Sequence, residues 1–424
     1  MSAAAPHMPL HDRRILVVST NYAPELTGIG PYATQLAEHW AATTARADVL
    51  TGMPHYPSWR TDEEYRGVWR TTERRGGVHV HRRRHYVPPR QTALRRGLFE
   101  LTVLGHGLLA PPPGRPDAVV AQMPSLAGGV VGARIARRHG VPYIPVVQDL
   151  MGAAAAQSGI RGGGRAASAA AAAERYALRD AALVGVIHES FVPGVRALGV
   201  DPARIRTVPN WTHVQGPTAD RAATRARLGW QPDTPVLLHS GNMGLKQGLD
   251  VLVDLARLAP DVRVVLMGDG NQREGLRARS AGLANLDFLP PAAAEDFTDV
   301  LAAADVLAVT QRASVLDMSV PSKLTSYFVS GRPVVASVAE GGGTAEEVRR
   351  SGAGVLVRPE DPAALLTAVR ELAADHAAAG RLGARGAAYV AQHLSREAGL
   401  ARFDALLAEA LDNARGNARG SARR

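Results

Sequence analysis

Residues 236–250 read VLLHSGNMGLKQGLD, which parses as strand, glycine turn and helix. The first five residues are mostly apolar on both alternating faces, as a parallel strand covered on two sides must be. The turn that follows holds Gly241, Gly244 and Gly248, and an apolar helical period takes over at 249–258. Working outward, the chain repeats this unit. Strands are expected downstream at 263–268, 305–309, 333–337 and 354–357, with helices at 272–281, 323–329 and 363–372. Upstream, strands at 14–19, 48–52, 118–122, 143–148 and 183–188 alternate with helices at 31–42, 126–138 and 165–178. The alternation breaks at 213–232, which carries proline, threonine and charge but no clear strand. The expected fold class is therefore α/β, with two Rossmann-like doubly wound domains facing each other across an interdomain cleft. The domains read as 1–212 and 233–395, joined by a linker at 213–232. A C-terminal helix at 396–412 would cross back to the first domain, and a basic tail at 413–424 reads as disordered. The Ala/Gly stretch 152–164 reads as a flexible loop.

Composition narrows the function classes. The chain has 424 residues, 46% of them hydrophobic and 21% charged, enough for two buried cores. It has no cysteine, which excludes disulfides, thiolate zinc sites, iron–sulfur clusters and cysteine nucleophiles. No apolar signal region and no uncharged run of about 18 apolar residues is visible, so a cytoplasmic protein without a spanning helix is expected. The net charge of +10 includes Arg415, Arg419, Arg423 and Arg424 in the tail and a basic cluster over 60–96. Such charge suits nucleic acid, an anionic membrane or a phosphorylated substrate. The stretch 90–109, from Arg90 to Leu109, sets Arg95 and Arg96 beside Leu94, Leu98, Phe99, Leu101, Leu104, Leu108 and Leu109 at helical spacing. That pattern fits peripheral contact with an anionic membrane, or a core-packed helix with one solvated end.

The candidate chemistry lies in the strand-to-helix turns. Gly28 and Gly30 follow the first strand and would let backbone N–H groups approach an anion at a helix start, or form a plain turn. Lys246, flanked by Gly241 and Gly248, falls where the next helix begins. A cation there opposes the helix dipole unless an anion is also bound, so a diphosphate is the expected ligand. Gly268 and Asp269 form a tight turn that could touch a ribose or base. Ser322 and Lys323 stand after Pro321 at another helix start, as does Thr344 after three glycines. Gln148, Asp149 and His188 sit at strand ends, as ligand contacts or as caps. His55, Tyr56 and Trp59 follow a strand and could stack on an acceptor. There is no H-E-x-x-H, Walker A or G-x-S-x-G motif and no Asp-x-Asp, so no metal and no cofactor is expected.

Seven motifs in register carry a family resemblance: NYAPELTGIGPYA at 21–33, GMPHYPSW at 52–59, VPNWTH at 208–213, SGNMGLKQGLD at 240–250, VLMGDG at 265–270, AAADVLAV at 302–309 and VPSKLTSYFVSGRPVVAS at 320–337. The chain resembles the family-4 glycosyltransferases, retaining enzymes of the GT-B fold, and within them the colanic-acid and exopolysaccharide subgroup. The resemblance implies an acceptor-side first domain and a nucleotide-sugar-binding second domain. It implies that Gly28 and Gly30 lie under the sugar diphosphate and that Lys246 contacts its phosphates, with Asn242 where the family usually has arginine. The family's Glu-x7-Glu signature is degenerate, with Met318 and Ser326 in its places, and Ser322 and Lys323 look like substitutes. Glu346 matches the acid of the glycine-rich loop. Gln148 and Asp149 match a strand end that often bears a His-Asp pair.

The implied reaction moves a sugar from a nucleotide-sugar to a hydroxyl acceptor, possibly lipid-linked, with retention and without a metal. Lys246, Asp149 and Glu346 are the catalytic candidates. The competing readings are a transferase for a soluble secondary metabolite, a sugar-nucleotide 2-epimerase-like enzyme, and a basic nucleic-acid-binding protein, the last resting on charge alone. No nucleic-acid partner is expected.

Overall fold

A computed structural model of the protein describes residues 10–26, 28–89, 92–150, 163–315 and 323–421. The chain forms two units: residues 1–210 with 399–424, and residues 211–398.

The first unit is built on β1 (Arg14–Val18), whose apolar residues are all buried. Its partners are β2 (Arg46–Gly52), β3 (Arg70–Arg75), β4 (Val78–Arg83), β5 (Ala118–Met123), β6 (Tyr143–Val147), β7 (Val184–Val186) and β8 (Ile205–Thr207). The order is β3-β4-β2-β1-β5-β6-β7-β8, parallel throughout except for β3 on β4. The second unit holds β9 (Val236–Ser240), β10 (Arg263–Met267), β11 (Leu286–Leu289), β12 (Val306–Thr310), β13 (Val334–Ser337) and β14 (Gly354–Val357) in the parallel order β11-β10-β9-β12-β13-β14. Alternate residues of its central strands feed opposite cores. Leu238, Val265 and Leu307 pack on one face, and Leu237, Val264 and Val306 on the other. That is why these strands read as continuous apolar runs. In each sheet the order reverses beside the first strand of its unit, at β1/β5 and at β9/β12, which are the switch points where open α/β sheets take ligands.

The structure departs from the expected elements in several places. The basic cluster over 60–96 contains the β3–β4 hairpin, turned at Gly76 and Gly77, both with positive φ. Its arginines are partly structural. Arg82 is fully buried and meets Glu73 at 2.7 Å. Arg14 and Arg46 close on the buried Asp48 at 2.9 Å. Strands β8 and β11 are three and four residues long, too short to show a period. The stretch 213–232 is packed into the second unit. It carries the helix Arg221–Arg227, whose Arg225 is buried, pairs with Asp305 at 3.1 Å and donates to the carbonyls of Ala303, Gln231 and Thr234. The last helix is Arg396–Ser421, so it continues past residue 412, where disorder was expected. Alanine and arginine propagate a helix already nucleated. This helix docks on the first unit, with Asp404 accepting from Trp40 Nε1 and His39 Nε2 at 2.8 Å each. The helix Gly163–Leu178 begins just before its expected start, and most of the expected loop 152–164 lies outside the described residues.

Candidate functional site

Because the second sheet is parallel, the turns after β9, β10, β12 and β13 all emerge at one edge. The first two interlock. Gly241 N–H donates to the Met267 carbonyl at 2.9 Å, and Met243 N–H to the Asp269 carbonyl at 2.8 Å. Gly268 has φ +139, and a Cβ there would overlap the Gly241 carbonyl. Only glycine allows so close a backbone approach. The Met-Gly-Asp-Gly segment is therefore first a brace for the turn 240–248. Asp269 is exposed, with Oδ1 accepting from Gly270 N–H, and Asn242 is exposed beside it.

Lys246 does not open the next α-helix, as the sequence suggested. It lies in a separate 3-10 turn, Leu245–Gln247, closed by Gly248 at φ +57, and the α-helix proper is Asp250–Leu258. Asp250 sits in the first turn of that helix and meets Arg312 at 2.9 Å, so the dipole is balanced by protein. Arg312 also fixes the 3-10 turn. Its N–H donates to the Lys246 carbonyl at 3.0 Å and its Nε to the Leu245 carbonyl at 2.9 Å. The Lys246 side chain is left exposed with no ion pair among the described residues. Across the β9/β12 switch point, Lys323 starts the helix Lys323–Val329. Its Nζ lies 3.4 Å from His239 Nε2 and 3.5 Å from where a Cβ on Gly241 would stand. Burial pulls the Lys323 pKa down to about 8. The chain has two lysines among its 49 basic residues, and both stand at this edge of the second sheet. Neither faces a carboxylate among the described residues, in a protein whose arginines are widely paired.

After β13, the helix Gly343–Ser351 brings Thr344 and Glu346 to the same edge. Thr344 is fully buried with its hydroxyl unpartnered, so it points into the protein. Glu346 is exposed in the first turn, 3.8–3.9 Å from Arg349 and Arg350 of its own helix. Ser322 lies outside the described residues.

In the first unit, Gly28 (φ +64) and Gly30 follow β1 into the helix Gly30–Thr43. A Cβ on Gly28 would sit 3.2 Å from the Tyr56 ring, and one on Gly30 would press on the Glu25 carbonyl. Glu25 ties this loop to the one after β2. Its buried carboxylate accepts from the N–H groups of Tyr22 at 3.1 Å and of His55 and Tyr56 at 2.8 Å each. Glu25 lies within the motif at 21–33, where the residue pattern alone assigns it no role. The signal was a lone acid in an otherwise uncharged loop. The structure corrects His55 as an acceptor platform. It is buried, 3.0 Å from the Met53 carbonyl, and its ring packs on Trp59, His85 and Phe99 with centroids 4.7–5.7 Å apart. Burial lowers the pKa values of both histidines, that of His85 to about 3, so both are neutral at pH 7. Tyr56 and Trp59 remain partly exposed at the rim.

Further along this edge, Gln148 Nε2 donates to Gln122 Oε1 at 2.8 Å and Asn210 Nδ2 donates to Gln148 Oε1 at 2.9 Å. A row of amides thus runs across the ends of β5, β6 and β8, and Asn210 and Gln122 were not anticipated. Asp149 is exposed, with Oδ1 accepting from Leu150 N–H. His188 Nδ1 accepts from Ser190 N–H at 3.1 Å, the capping role. Among the described residues, no group of three or more His, Asp and Glu side chains gathers as a metal site would require.

The helix Ala93–Leu109 buries Phe99 and exposes Leu94 (85%), Leu101 (65%) and Leu109 (83%), with Leu98 and Leu108 on the same side. Exposed Trp69 packs on His106 of this helix, with the Arg84 guanidinium 5.7 Å from its ring centroid. No helix among the described residues is long and apolar enough to cross a membrane.

Comparison with known proteins agrees with this architecture. Residues 27–211 match the glycosyl transferase 4-like domain, and residues 234–375 match the glycosyl transferases group 1 domain. An Escherichia coli K12 protein described as the colanic acid biosynthesis glycosyl transferase WcaI is 31% identical over 376 residues, spanning 84% of this chain and 91% of that protein. A D-inositol 3-phosphate glycosyltransferase of Mycolicibacterium gilvum is 33% identical over 192 residues, 43% of this chain and 42% of that protein. Among solved structures, Anabaena Alr3699/HepE in complex with UDP superposes with TM-score 0.66 at 17% identity, covering 93% of this chain and 99% of that one. WaaG, a glycosyltransferase involved in lipopolysaccharide biosynthesis, gives TM-score 0.60 at 17% identity, covering 91% and 98%. The fold of this chain is that of the GT-B glycosyltransferases, two Rossmann-like α/β units.

Proposed function

The chain belongs to the glycosyltransferases, and from that premise we propose that it moves a hexosyl or related sugar from a nucleotide-sugar to a hydroxyl acceptor, with retention and without a metal. The observation that carries this reading is the pair of lysines, Lys246 and Lys323, set around the glycine turn at the β9/β12 switch point with no carboxylate against them among the described residues. Departure of a nucleoside diphosphate concentrates negative charge, and fixed cations with backbone N–H groups stabilise it most. In the same reading Gly28 and Gly30 give the diphosphate close backbone approach, and Asn242, Gly268 and Asp269 border the nucleotide. Glu346 accepts from a sugar hydroxyl, and Asp149, Gln148, Tyr56 and Trp59 contact the acceptor. For retention the acceptor attacks on the face the diphosphate leaves, and a diphosphate oxygen takes its proton. A strong protein base is then unnecessary, which agrees with Asp149 being solvated. The solved HepE structures hold UDP and UDP-glucose, which favours a nucleotide-sugar donor here.

The pathway we propose is exopolysaccharide or cell-envelope glycan assembly, supported by likeness to WcaI. The exposed leucine face of Ala93–Leu109, with Trp69 and Arg84 beside it, suits peripheral contact with an anionic membrane from the cytoplasmic side and a lipid-linked acceptor.

The test is turnover with UDP-, GDP-, ADP- and dTDP-linked sugars and a cell-envelope lipid extract, following nucleoside diphosphate release and the anomeric configuration of the product by NMR. An α-linked donor giving an α-linked product in chelator supports the proposal. No sugar transfer from any donor, or inversion, overturns it. Flotation with anionic vesicles tests the membrane contact. Leu101→Asp with Leu94→Asp should abolish binding, and equal binding by this variant and the native protein excludes that face.

A further inference from the structure

We infer that His239 is a positioning residue that holds the Lys323 ammonium under the Gly241 turn as a fixed, uncancelled positive charge for the donor diphosphate. This rests on the donor reading above and adds to it a residue that neither the sequence motifs nor the comparisons point to.

His239 follows the apolar run Val236–Leu238 of β9, just before Ser240, and is fully buried there. A buried polar group is costly unless it is paired. Nδ1 lies 3.3 Å from the Ala308 carbonyl of β12, and the Asn242 backbone also meets the ring; with the proton assigned to Nδ1, the ring donates across the switch point and Nε2 is left to accept from an ammonium, which can only donate. The lone pair of Nε2 then faces Lys323 Nζ at 3.4 Å. Burial first, and the neighbouring Lys323 charge second, push the His239 pKa well below its ordinary value, so the ring stays neutral and stays an acceptor. The same helix is pinned to the same turn one step further on, where Ser240 N–H donates to the Tyr327 hydroxyl at 2.7 Å.

The chemistry of the partner matters. Several buried or half-buried arginines of this protein meet carboxylates: Arg82 with Glu73, Arg225 with Asp305 and Arg14 with Asp48. A carboxylate beside Lys323 would orient it equally well, but it would cancel the charge and repel a diphosphate. A neutral imidazole orients the ammonium and leaves its charge intact. An ammonium has three N–H donors, and His239 takes one. The others remain for phosphate oxygens beside Gly241, where the missing Cβ leaves the backbone open. Lysine also suits this role as a compact point charge, in a chain whose basic residues are arginine everywhere but at 246 and 323.

The experiment is calorimetric titration of the full chain with UDP and with GDP, together with donor KM and kcat, for wild type, His239→Leu, His239→Gln, Lys323→Ala and the His239→Leu/Lys323→Ala double variant. His239→Leu should weaken nucleoside diphosphate binding about tenfold or more, the scale of one hydrogen bond to a charged group, while its melting temperature holds. His239→Gln, which keeps an acceptor, should restore most of the affinity. The double variant should bind no worse than Lys323→Ala alone, because the histidine acts through the lysine. His239→Phe repeats the test if the leucine variant melts early. Wild-type affinity in His239→Leu and His239→Phe overturns the inference, as do losses that simply add in the double variant. If the wild-type protein binds neither UDP nor GDP and turns over no donor, the donor reading itself fails and takes this inference with it. Normal wild-type binding with unaffected variants removes the inference alone.

Discussion

Glu25 offers the sharpest check on how the first unit builds its loops. Its carboxylate is 5% exposed and accepts three backbone N–H groups, Oε1 from His55 and Tyr56 and Oε2 from Tyr22. In Glu25→Gln, one amide oxygen can keep the His55 and Tyr56 bonds, but the amide nitrogen would face Tyr22 N–H, donor against donor. Leaving one buried donor unsatisfied costs about 1–3 kcal/mol. In Glu25→Ala all three N–H groups lose a charged acceptor, each such bond being worth about 1.5–3 kcal/mol. Water entering the space offsets part of this, so a net loss of about 3–5 kcal/mol is expected, or a melting temperature lower by about ten degrees. The assay is thermal and urea unfolding of both variants, with nucleoside diphosphate affinity measured alongside. Stability should fall in the order wild type, Gln, Ala, and acceptor KM should rise as the 21–30 and 52–59 loops loosen. Nucleoside diphosphate affinity should also fall, because Gly28 and Gly30 lie in the loosened loop, but by less than in Lys246→Ala. A Glu25→Ala protein within about 0.5 kcal/mol of wild type, the scatter of ordinary surface changes, would refute the reasoning.

Gly268→Ala forces a Cβ into the Gly241 backbone at a φ that side chains avoid. It should destabilise the protein by more than about 2 kcal/mol and abolish diphosphate binding, and normal binding in titration would show that the two turns do not interlock. Lys323 has its pKa lowered by burial to about 8, so its charge is present below that pH and lost as pH rises through it. His239 is neutral throughout that range and the Tyr327 hydroxyl is pushed up by burial, so Lys323 is the group expected to titrate there. Donor kcat/KM should therefore fall above pH 8, and in Lys323→Arg it should stay level to about pH 10 because arginine remains charged; a flat wild-type profile contradicts this. For Asp48, burial raises the pKa, but hydrogen bonds from His81, Arg46 and Arg14 outweigh it and hold the group well below the usual carboxylate range. A lowered folded-state pKa gives stability that is present above the unfolded value near 4 and is lost as pH falls through the folded one. Asp48→Asn should cost about 3–5 kcal/mol at pH 7 and flatten the acid limb of stability measured by urea midpoints.

The two-unit fold was legible because buried parallel strands declare themselves. Leu16, Val119, Ile144, Leu238, Val264 and Leu307 lie in runs apolar on both faces, and each run became a strand within about two residues of its expected ends. Strand β3 was not legible. RTTERR is an exposed edge strand whose charged side chains hide its pairing, and the Gly76-Gly77 turn beside it was the available signal. Lys246 and the glycine turn were found in the right place, but the break at Gly248 depends on a backbone φ that a run of residue types does not reveal. His55 was misjudged because an aromatic motif after a strand looks the same whether it faces ligand or packs on Phe99 and His85. Glu25 and His239 escaped for a related reason. Each acts through a partner distant in sequence, His55 and Tyr56 for the first and Ala308 and Lys323 for the second. Pairing of that kind is decided by the fold.

The central claim is that the turn after β9 receives a departing diphosphate on Lys246. Single-turnover transfer from the preferred nucleotide-sugar, compared between wild type and Lys246→Ala with unfolding curves in parallel, tests it most directly. The account predicts a rate about 10²–10³ lower, the loss seen when one preorganised charge-stabilising donor is removed, with the melting temperature unchanged because the side chain is exposed. Transfer at the wild-type rate by a folded Lys246→Ala protein would contradict it.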